Sequence, residues 1–180
     1  MSLEELYNGQ GRIREMLSDL GYWQSLGLAM YSLGMVLARQ SAPSEVAEKL
    51  GVLGKADSVQ RRLERFVDNA RINWQSGGVA WSRWVLSHYV GERVILLVDE
   101  TKLGQHLGVM MVGLAYRECC VPLAWWAYDA KAWPMGQVAL IKTLLSWVAA
   151  ALPNGVIPLV EADRGIGTSP ELVRGVEQLG

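Results

Sequence analysis

Cysteine and histidine are scarce in this sequence, which has two residues of each type. The two cysteines, Cys119 and Cys120, are adjacent. Neighbouring cysteines rarely bridge each other, because a disulfide requires a Cα separation of roughly 4.4–6.8 Å and restricted dihedral angles. The sequence therefore predicts no disulfide framework, and we expect a reducing, cytoplasmic compartment.

The sequence also has no excess of positive or negative charge, since its formal net charge is −1. This argues against a uniformly basic nucleic-acid binder, although it leaves local patches open. The most apolar window, residues 23–38, contains Gln24, Ser25 and Ser32 and is shorter than the ~20 residues of a membrane helix. We expect a buried core helix there and no membrane partner. The polar start, "MSLEELYNGQGR", predicts no signal peptide.

Apolar residues are plentiful, at 51% of the 180 residues, which is enough for a sizeable core. The pattern changes along the chain. Residues 1–90 predict a helical region, and residues 91–180 predict strands combined with helices. The expected fold class is therefore α/β, with a helical N-terminal region followed by a mixed sheet in the order strand-strand-strand-helix-strand-helix.

In the helical region we expect helices at residues 23–39, 45–50 and 58–69, with Ser44 as the N-cap of the second. Residues 77–78, two glycines, predict a hinge into the second region. The third helix has an apolar stripe and, on its other side, a group of arginines. The stripe consists of Val59, Leu63, Phe66 and Val67, and the arginines are Arg61, Arg62 and Arg65.

A helix, a glycine-containing turn and a second helix with outward arginines form the outline of a helix-turn-helix. Arg61, Arg62 and Arg65 are therefore candidate contacts to double-stranded DNA. The alternative is an ordinary helical pair with a solvated charged face. Residues 39–75 carry seven basic and five acidic side chains, so the local basic bias is small.

In the second region, strands are expected at residues 93–99, 107–116, 121–128 and 156–162, with a helix at 135–152 before the last strand. Ser169 and Pro170 open a final helix. A crossover helix makes the fourth strand parallel to the first. Asp99 and Asp163 then follow neighbouring strands at the sheet's carboxyl edge, where open α/β sheets bind ligands.

Two aspartates held close together repel each other unless a cation lies between them. Oxygen ligands favour Mg²⁺ or Mn²⁺. A zinc site is not expected, because only His106 lies near either aspartate in the sequence. Candidates for supporting the two carboxylates are Glu161, Thr101 and Arg164. The alternative is that both aspartates are surface acids where strands reach solvent.

Three stretches of the second region, "VILLVDETKL", "GLAYRECCVPLAWWAYDAK" and "VEADRGIGTSPELVRGVEQLG", resemble the catalytic core of bacterial insertion-sequence transposases of the DDE class. The insertion sequence four family is the most similar group. The stretch "LARQSAPSEVAEKLG" and the later "SVQRRLERFVDN" resemble that family's N-terminal DNA-binding region. The resemblance runs from about residue 25 to residue 180, and "VDET" and "ADRG" are its most specific points.

The resemblance implies an RNase H-like fold, with Asp99 and Asp163 as the first two catalytic acids. It also implies two Mg²⁺ ions and cut-and-paste DNA transposition, in a bacterial, nucleoid-associated protein. The family's third acid is a glutamate on a helix beyond a fifth strand, within a Tyr/Arg/Glu/Lys signature, and residues 1–180 contain no counterpart.

We therefore expect a partial RNase H-like domain that binds DNA and is inactive by itself. Its expected protein partners are a second copy of the same chain or full-length transposase. Two alternatives remain: a non-catalytic DNA-binding remnant or inhibitor of full-length transposase, and an RNase H-like metal-dependent nuclease.

Overall fold

The computed structural model describes residues 2–177 and divides into two compact units, Met1–Gly77 and Gly78–Gly180. The division lies 13 residues before the boundary expected from the sequence. Within residues 2–177, no helix combines the length and the apolar composition needed to cross a membrane.

The first unit is helical. Its helices are α1 Leu3–Met16, α2 Tyr22–Ala38, α3 Pro43–Lys49 and α4 Ala56–Val67, with a short 3₁₀ turn at Gly51–Leu53. A fifth helix, α5 Trp74–Ser87, runs across the division between the units. The core of the first unit includes Leu6, Leu26, Met30, Val46, Leu50, Val59 and Leu63.

Local capping begins α1. The Ser2 hydroxyl accepts a hydrogen bond from the backbone N–H of Glu5, and the Glu5 carboxylate accepts one from the Ser2 backbone N–H. This reciprocal pair satisfies two N–H groups that a helix start leaves unpaired. Close packing then joins α2 to α3, because a Cβ on Gly34 would collide with the Val46 side chain.

Two expectations for this unit were wrong in detail. Helix α3 begins at Pro43 with Ala42 as its N-cap, so Ser44 lies inside the first turn and does not cap it. Proline suits a first helical position because its missing N–H would have no partner there anyway. Val67 is 50% exposed, so the buried stripe of α4 ends at Phe66. The division between the two units falls between residues 77 and 78, the two glycines expected as a hinge, although α5 continues through both.

The second unit is a four-stranded mixed sheet with helices, which confirms the α/β class. The strands are β1 Arg93–Leu103, β2 Leu107–Tyr116, β3 Cys119–Asp129 and β4 Ile157–Ala162, in the spatial order β3-β2-β1-β4. The helices are α6 Gln137–Ala149, α7 Arg164–Gly167 and α8 Pro170–Glu177. β1 pairs antiparallel with β2 and parallel with β4, as the crossover through α6 predicts.

One face of this sheet is buried. Val94, Leu96 and Val98 alternate along β1 towards a core that includes Leu140 and Leu144 of α6. The opposite face carries exposed apolar side chains, namely Ile95, Trp125, Ile157 and Leu159. β4 is also an edge strand among the described residues. An unpaired edge strand beside exposed apolar side chains is a surface that favours association.

Strand β1 is longer than predicted. It was expected to end at Asp99, but its antiparallel ladder with β2 continues to Leu103. Only the parallel ladder with β4 ends at this level, at the pair Val98 and Ala162. Asp99 is thus a residue within a strand, at the point where one of its two neighbouring strands stops.

A tight turn joins β2 to β3, as residues 117–118 predict, with Arg117 at φ 55°. A register shift follows between Val112 and Gly113. A Cβ on Gly113 would collide with the Cys120 sulfur, so the glycine accommodates that side chain at the irregularity.

Candidate functional site

The first candidate site lies where β4 leaves the sheet. Val98 of β1 is paired with Ala162 of β4, and Asp99 and Asp163 follow one residue later on each strand. Adjacent strands are about 4.8 Å apart, so the two aspartates follow the last parallel pair side by side. Both are exposed. The predicted parallel pairing of the two strands is confirmed, whereas a carboxylate separation short enough to share a metal stays a prediction.

Asp99 lies on the open face of the sheet, with Thr101 two residues further along the same face. The Thr101 hydroxyl donates a hydrogen bond to Asp99 Oδ2 at 3.3 Å. Thr101 therefore contacts the carboxylate that it was expected to support. On β3, burial first, then the adjacent Cys119 and then the negative charge of Asp99 raise the pKa of the Cys120 thiol.

Asp163 is held by the helix that follows it. It is the N-cap of α7, where its Oδ1 accepts a hydrogen bond from the backbone N–H of Ile166 at 2.9 Å. The bond fixes the direction of the carboxyl group. The N-cap role alone is enough to explain an aspartate at position 163, because short side chains that accept hydrogen bonds are favoured at helix N-caps. No metal is needed for this explanation.

The other two candidates differ in their placement. Glu161 is exposed on β4 and pairs with Leu97, one step before the last parallel pair, so it shares the open face with Asp99. Arg164 is exposed at the start of α7. Among residues 2–177 it makes no ion pair, so its carboxylate-supporting role remains a prediction.

The donor set at Asp99 and Asp163 consists of two exposed carboxylates. Within the described chain, no three histidine, cysteine, aspartate or glutamate side chains come together in a group that could hold a metal ion. Mg²⁺ is commonly held by one or two carboxylates while it keeps several waters. The two carboxylates are oxygen donors of the type that suits a hard cation.

Glu100 points to the opposite face from Asp99, as the alternation predicts. The Tyr128 hydroxyl donates to Glu100 Oε1 at 2.6 Å, and Lys102 lies 3.7 Å from the same oxygen. Burial, with the Glu100 hydrogen bond second, raises the pKa of Tyr128. Glu100 thus has a structural partner away from the aspartate pair.

Sequence reasoning missed the Tyr128 contact, although a signal for it exists. Gly108 is paired with Tyr128 across β2 and β3, and a Cβ there would lie 2.5 Å from the ring carbon Cζ. The Tyr128 ring also stacks on Trp133, with centroids 4.5 Å apart. A glycine opposite an aromatic residue in paired strands is a recognised arrangement for covering a glycine.

The second candidate site is helix α4, where the three arginines do not share one face. Arg61 is exposed and borders a surface hollow with three acids, Asp57, Glu64 and Asp68. Arg62 is half-buried, and its Nη2 lies 3.4 Å from the Met30 sulfur. Arg65 borders both this hollow and a second cleft that contains Arg62.

No protein-family model, no curated protein and no solved structure matches this chain. Any functional assignment therefore depends on the residues and geometry described above.

Proposed function

We propose that this chain is a DNA-binding protein of the DDE transposase type whose second unit is part of an RNase H-like core. One observation supports this most strongly: β1 and β4 are parallel neighbours, and Asp99 and Asp163 follow their last pair. The strand order and the crossover through α6 are compatible with the same proposal.

In this proposal Asp99 and Asp163 hold a Mg²⁺ or Mn²⁺ ion. When bound, the ion would polarise a phosphodiester oxygen and make water or a 3′-hydroxyl more nucleophilic. Thr101 restrains the Asp99 carboxylate through its hydrogen bond. The first turn of α7 restrains Asp163 and leaves Oδ2 for the ion. Glu161 lies one step behind, where it can accept hydrogen bonds from metal-bound water.

Two carboxylates are expected to hold one ion, whereas two-metal phosphoryl transfer requires ions about 3.5–4 Å apart. By the resemblance, residues 1–180 contain no counterpart of the third acid. We therefore expect residues 1–180 to bind double-stranded DNA, at element ends or target, without catalysing strand transfer. Full activity would depend on a third acid from outside residues 1–180.

The decisive experiment separates metal binding from helix capping at position 163. Asp163→Asn retains a good N-cap but loses the charge, whereas Asp163→Ala loses both. We expect Asp163→Asn and Asp99→Asn to abolish Mn²⁺ binding, measured by water proton relaxation. We expect Asp163→Asn to retain wild-type stability and Asp163→Ala to lose about 1 kcal/mol.

Mn²⁺ binding that survives in both asparagine variants would refute the metal site. Nicking and strand-transfer assays with Mg²⁺ and Mn²⁺ complete the test. Metal-dependent cleavage by a monomer, lost in Asp99→Asn, would favour the RNase H-like nuclease and show that these residues complete a site by themselves.

The DNA-binding part of the proposal is tested through salt dependence. Each phosphate contact contributes about −0.9 to the slope of log affinity against log salt for duplex DNA. Replacing Arg61, Arg62 and Arg65 by alanine should reduce the magnitude of this slope. Replacing Arg12 and Arg14 of α1, which are exposed in the same unit, provides the matched control. An unchanged slope in the triple variant would exclude α4 as the contact surface.

A non-catalytic DNA-binding protein, such as an inhibitor of full-length transposase, is the second candidate. The capping role of Asp163 favours it, because that role explains the residue without chemistry. Duplex binding without Mn²⁺ binding would identify this case.

A further inference from the structure

The cleft between α2 and α4 encloses about 330 Å³ and is distinct from the hollow beside Arg61. Its floor is apolar and includes Leu26, Leu63 and Phe66. Gly27 makes the close approach of the two helices possible, because a Cβ there would lie 2.5 Å from Phe66 Cδ2. The close approach of α2 and α4 therefore forms a cleft with an apolar floor, and polar side chains form its walls.

The walls combine two guanidinium groups with two carboxamides. Arg62 and Arg65 come from α4, Asn69 follows the end of that helix, and Gln24 comes from α2. No carboxylate lines the cleft within the described residues, whereas three acids surround the neighbouring hollow. The cleft is thus the part of this surface that favours an anion.

Both guanidiniums retain hydrogen-bonding capacity. Arg62 uses one Nη2 contact to the Met30 sulfur, which is a weak acceptor. Arg65 uses its Nε–H for the Arg61 carbonyl and keeps both terminal nitrogens. Neither makes an ion pair among residues 2–177. Such guanidiniums suit phosphate, whose oxygens accept two parallel hydrogen bonds.

An exposed indole stands at the rim. Trp23 is 76% exposed, and its ring contact with Tyr22 is edge-on, at 88° and 5.0 Å between centroids. Large aromatic side chains with an open ring face are platforms on which nucleic-acid bases stack. An aromatic platform beside two guanidiniums matches a ligand in which a base is joined to a phosphate.

We propose that this cleft binds an unpaired nucleotide of a DNA strand, with its base on Trp23 and its phosphate at Arg62 and Arg65. The inference rests on the proposed DNA-binding function and specifies the form of DNA recognised. A volume of about 330 Å³ is at the lower end of ligand sites and suits one nucleotide. Bases within a duplex are stacked and paired, so only an unpaired base can reach the indole.

The test compares three probes on the full chain by fluorescence anisotropy and competition: oligothymidylate, a blunt hairpin duplex and free thymidine monophosphate. We expect oligothymidylate to bind, and Trp23→Ala to weaken that binding about tenfold while duplex affinity stays the same. Tyr7→Ala, a half-exposed aromatic of α1 outside the cleft, is the matched control and should change neither. Arg62→Ala should weaken oligothymidylate binding more than Arg12→Ala does.

Each other outcome overturns the inference in a distinguishable way. Duplex binding with no effect of Trp23→Ala would refute the cleft and leave the proposed DNA-binding function intact. Thymidine monophosphate binding as tightly as oligothymidylate would identify a free-nucleotide site instead. Displacement of oligothymidylate by an oligoglutamate peptide, undiminished in Trp23→Ala, would identify an acidic peptide site. No binding of any DNA form would refute the proposed function together with the inference.

Discussion

The two units of this protein close their hydrophobic cores differently. In the helical unit, stripes of apolar residues on α1 to α4 meet in one core. In the sheet unit, α6 covers one face while Ile95, Trp125 and Leu159 remain exposed on the other. A helix presents one apolar stripe and needs one neighbour, whereas a sheet has two faces and needs a cover on each. The sheet unit is therefore where we expect association with another surface.

The largest effects should come from cavities in either core. Leu63→Ala and Leu144→Ala each truncate a fully buried leucine, one in each unit, and should each destabilise by about 2–5 kcal/mol. Hydrogen exchange measured by mass spectrometry reports the units separately. If the units are energetically independent, Leu63→Ala accelerates exchange in α2 and α4 without affecting β1. Equal acceleration in both units would contradict that division.

Two glycine-to-alanine substitutions, one at a crowded position and one at an open position, form a matched pair of stability tests. Gly34→Ala places a Cβ against Val46 and should destabilise the helical unit by about 1–3 kcal/mol. Gly77→Ala lies in α5 with no atom within 4 Å of the added Cβ, so it should stabilise by about 0.5–1 kcal/mol. Urea denaturation measures both, and equal destabilisation would contradict the packing of α2 on α3.

Tyr128 on β3 should make the stability of the sheet unit depend on pH. The pKa of Tyr128 is raised in the fold, first by burial and then by Glu100. A raised pKa favours the protonated form in the folded state. The stabilisation that protonated Tyr128 contributes to the fold is therefore complete below pH of about 10, the pKa of tyrosine in the unfolded chain. This stabilisation is lost as the pH rises above that value.

Tyr128→Phe should cost about 1–2 kcal/mol at neutral pH and flatten the decline in stability above pH of about 10. Tyr7→Phe, on an exposed side chain, is the control. Urea midpoints measured across the alkaline range check this, and an unchanged alkaline decline in Tyr128→Phe would contradict it.

The smallest effect on stability should come from the open sheet face. Leu159 is 45% exposed on β4, so Leu159→Lys should change the free energy of unfolding by no more than about 0.5 kcal/mol. It should nevertheless reduce concentration-dependent association, because a lysine on an edge strand opposes pairing. Sedimentation velocity compares the variant with wild type. Identical association of the two would show that this face is not the contact.

The order of α2 to α4, of the four strands and of α6 and α8 was predictable because each has a local signal, whereas α1 and α5 were not predicted. The apolar stripe of α4 and the run at residues 94–98 set the type of each element through their periodicity. Boundaries were harder to predict. Ser44 was a plausible cap, but Pro43 took the first helical position, and residues 77–78 lie inside α5.

The site was partly predictable for the same reason. Asp99 and Asp163 follow apolar runs, and the crossover rule makes those runs parallel. The extension of β1 to Leu103 was not predictable, because it depends on pairing with β2. The contact of Tyr128 with Glu100 joins residues 28 positions apart, and the signal at Gly108 does not identify Glu100 as the partner.

By itself, the sequence determined the α/β class, the order of the strands and the placement of two aspartates after parallel strands. These follow from side-chain periodicity and chain connectivity, which are local properties. Only the tertiary structure decided that Asp163 caps α7, that Arg62 faces a cleft with Trp23 while Arg61 faces acids, and that one sheet face remains open. Those outcomes depend on which distant surfaces meet, and packing between elements sets them.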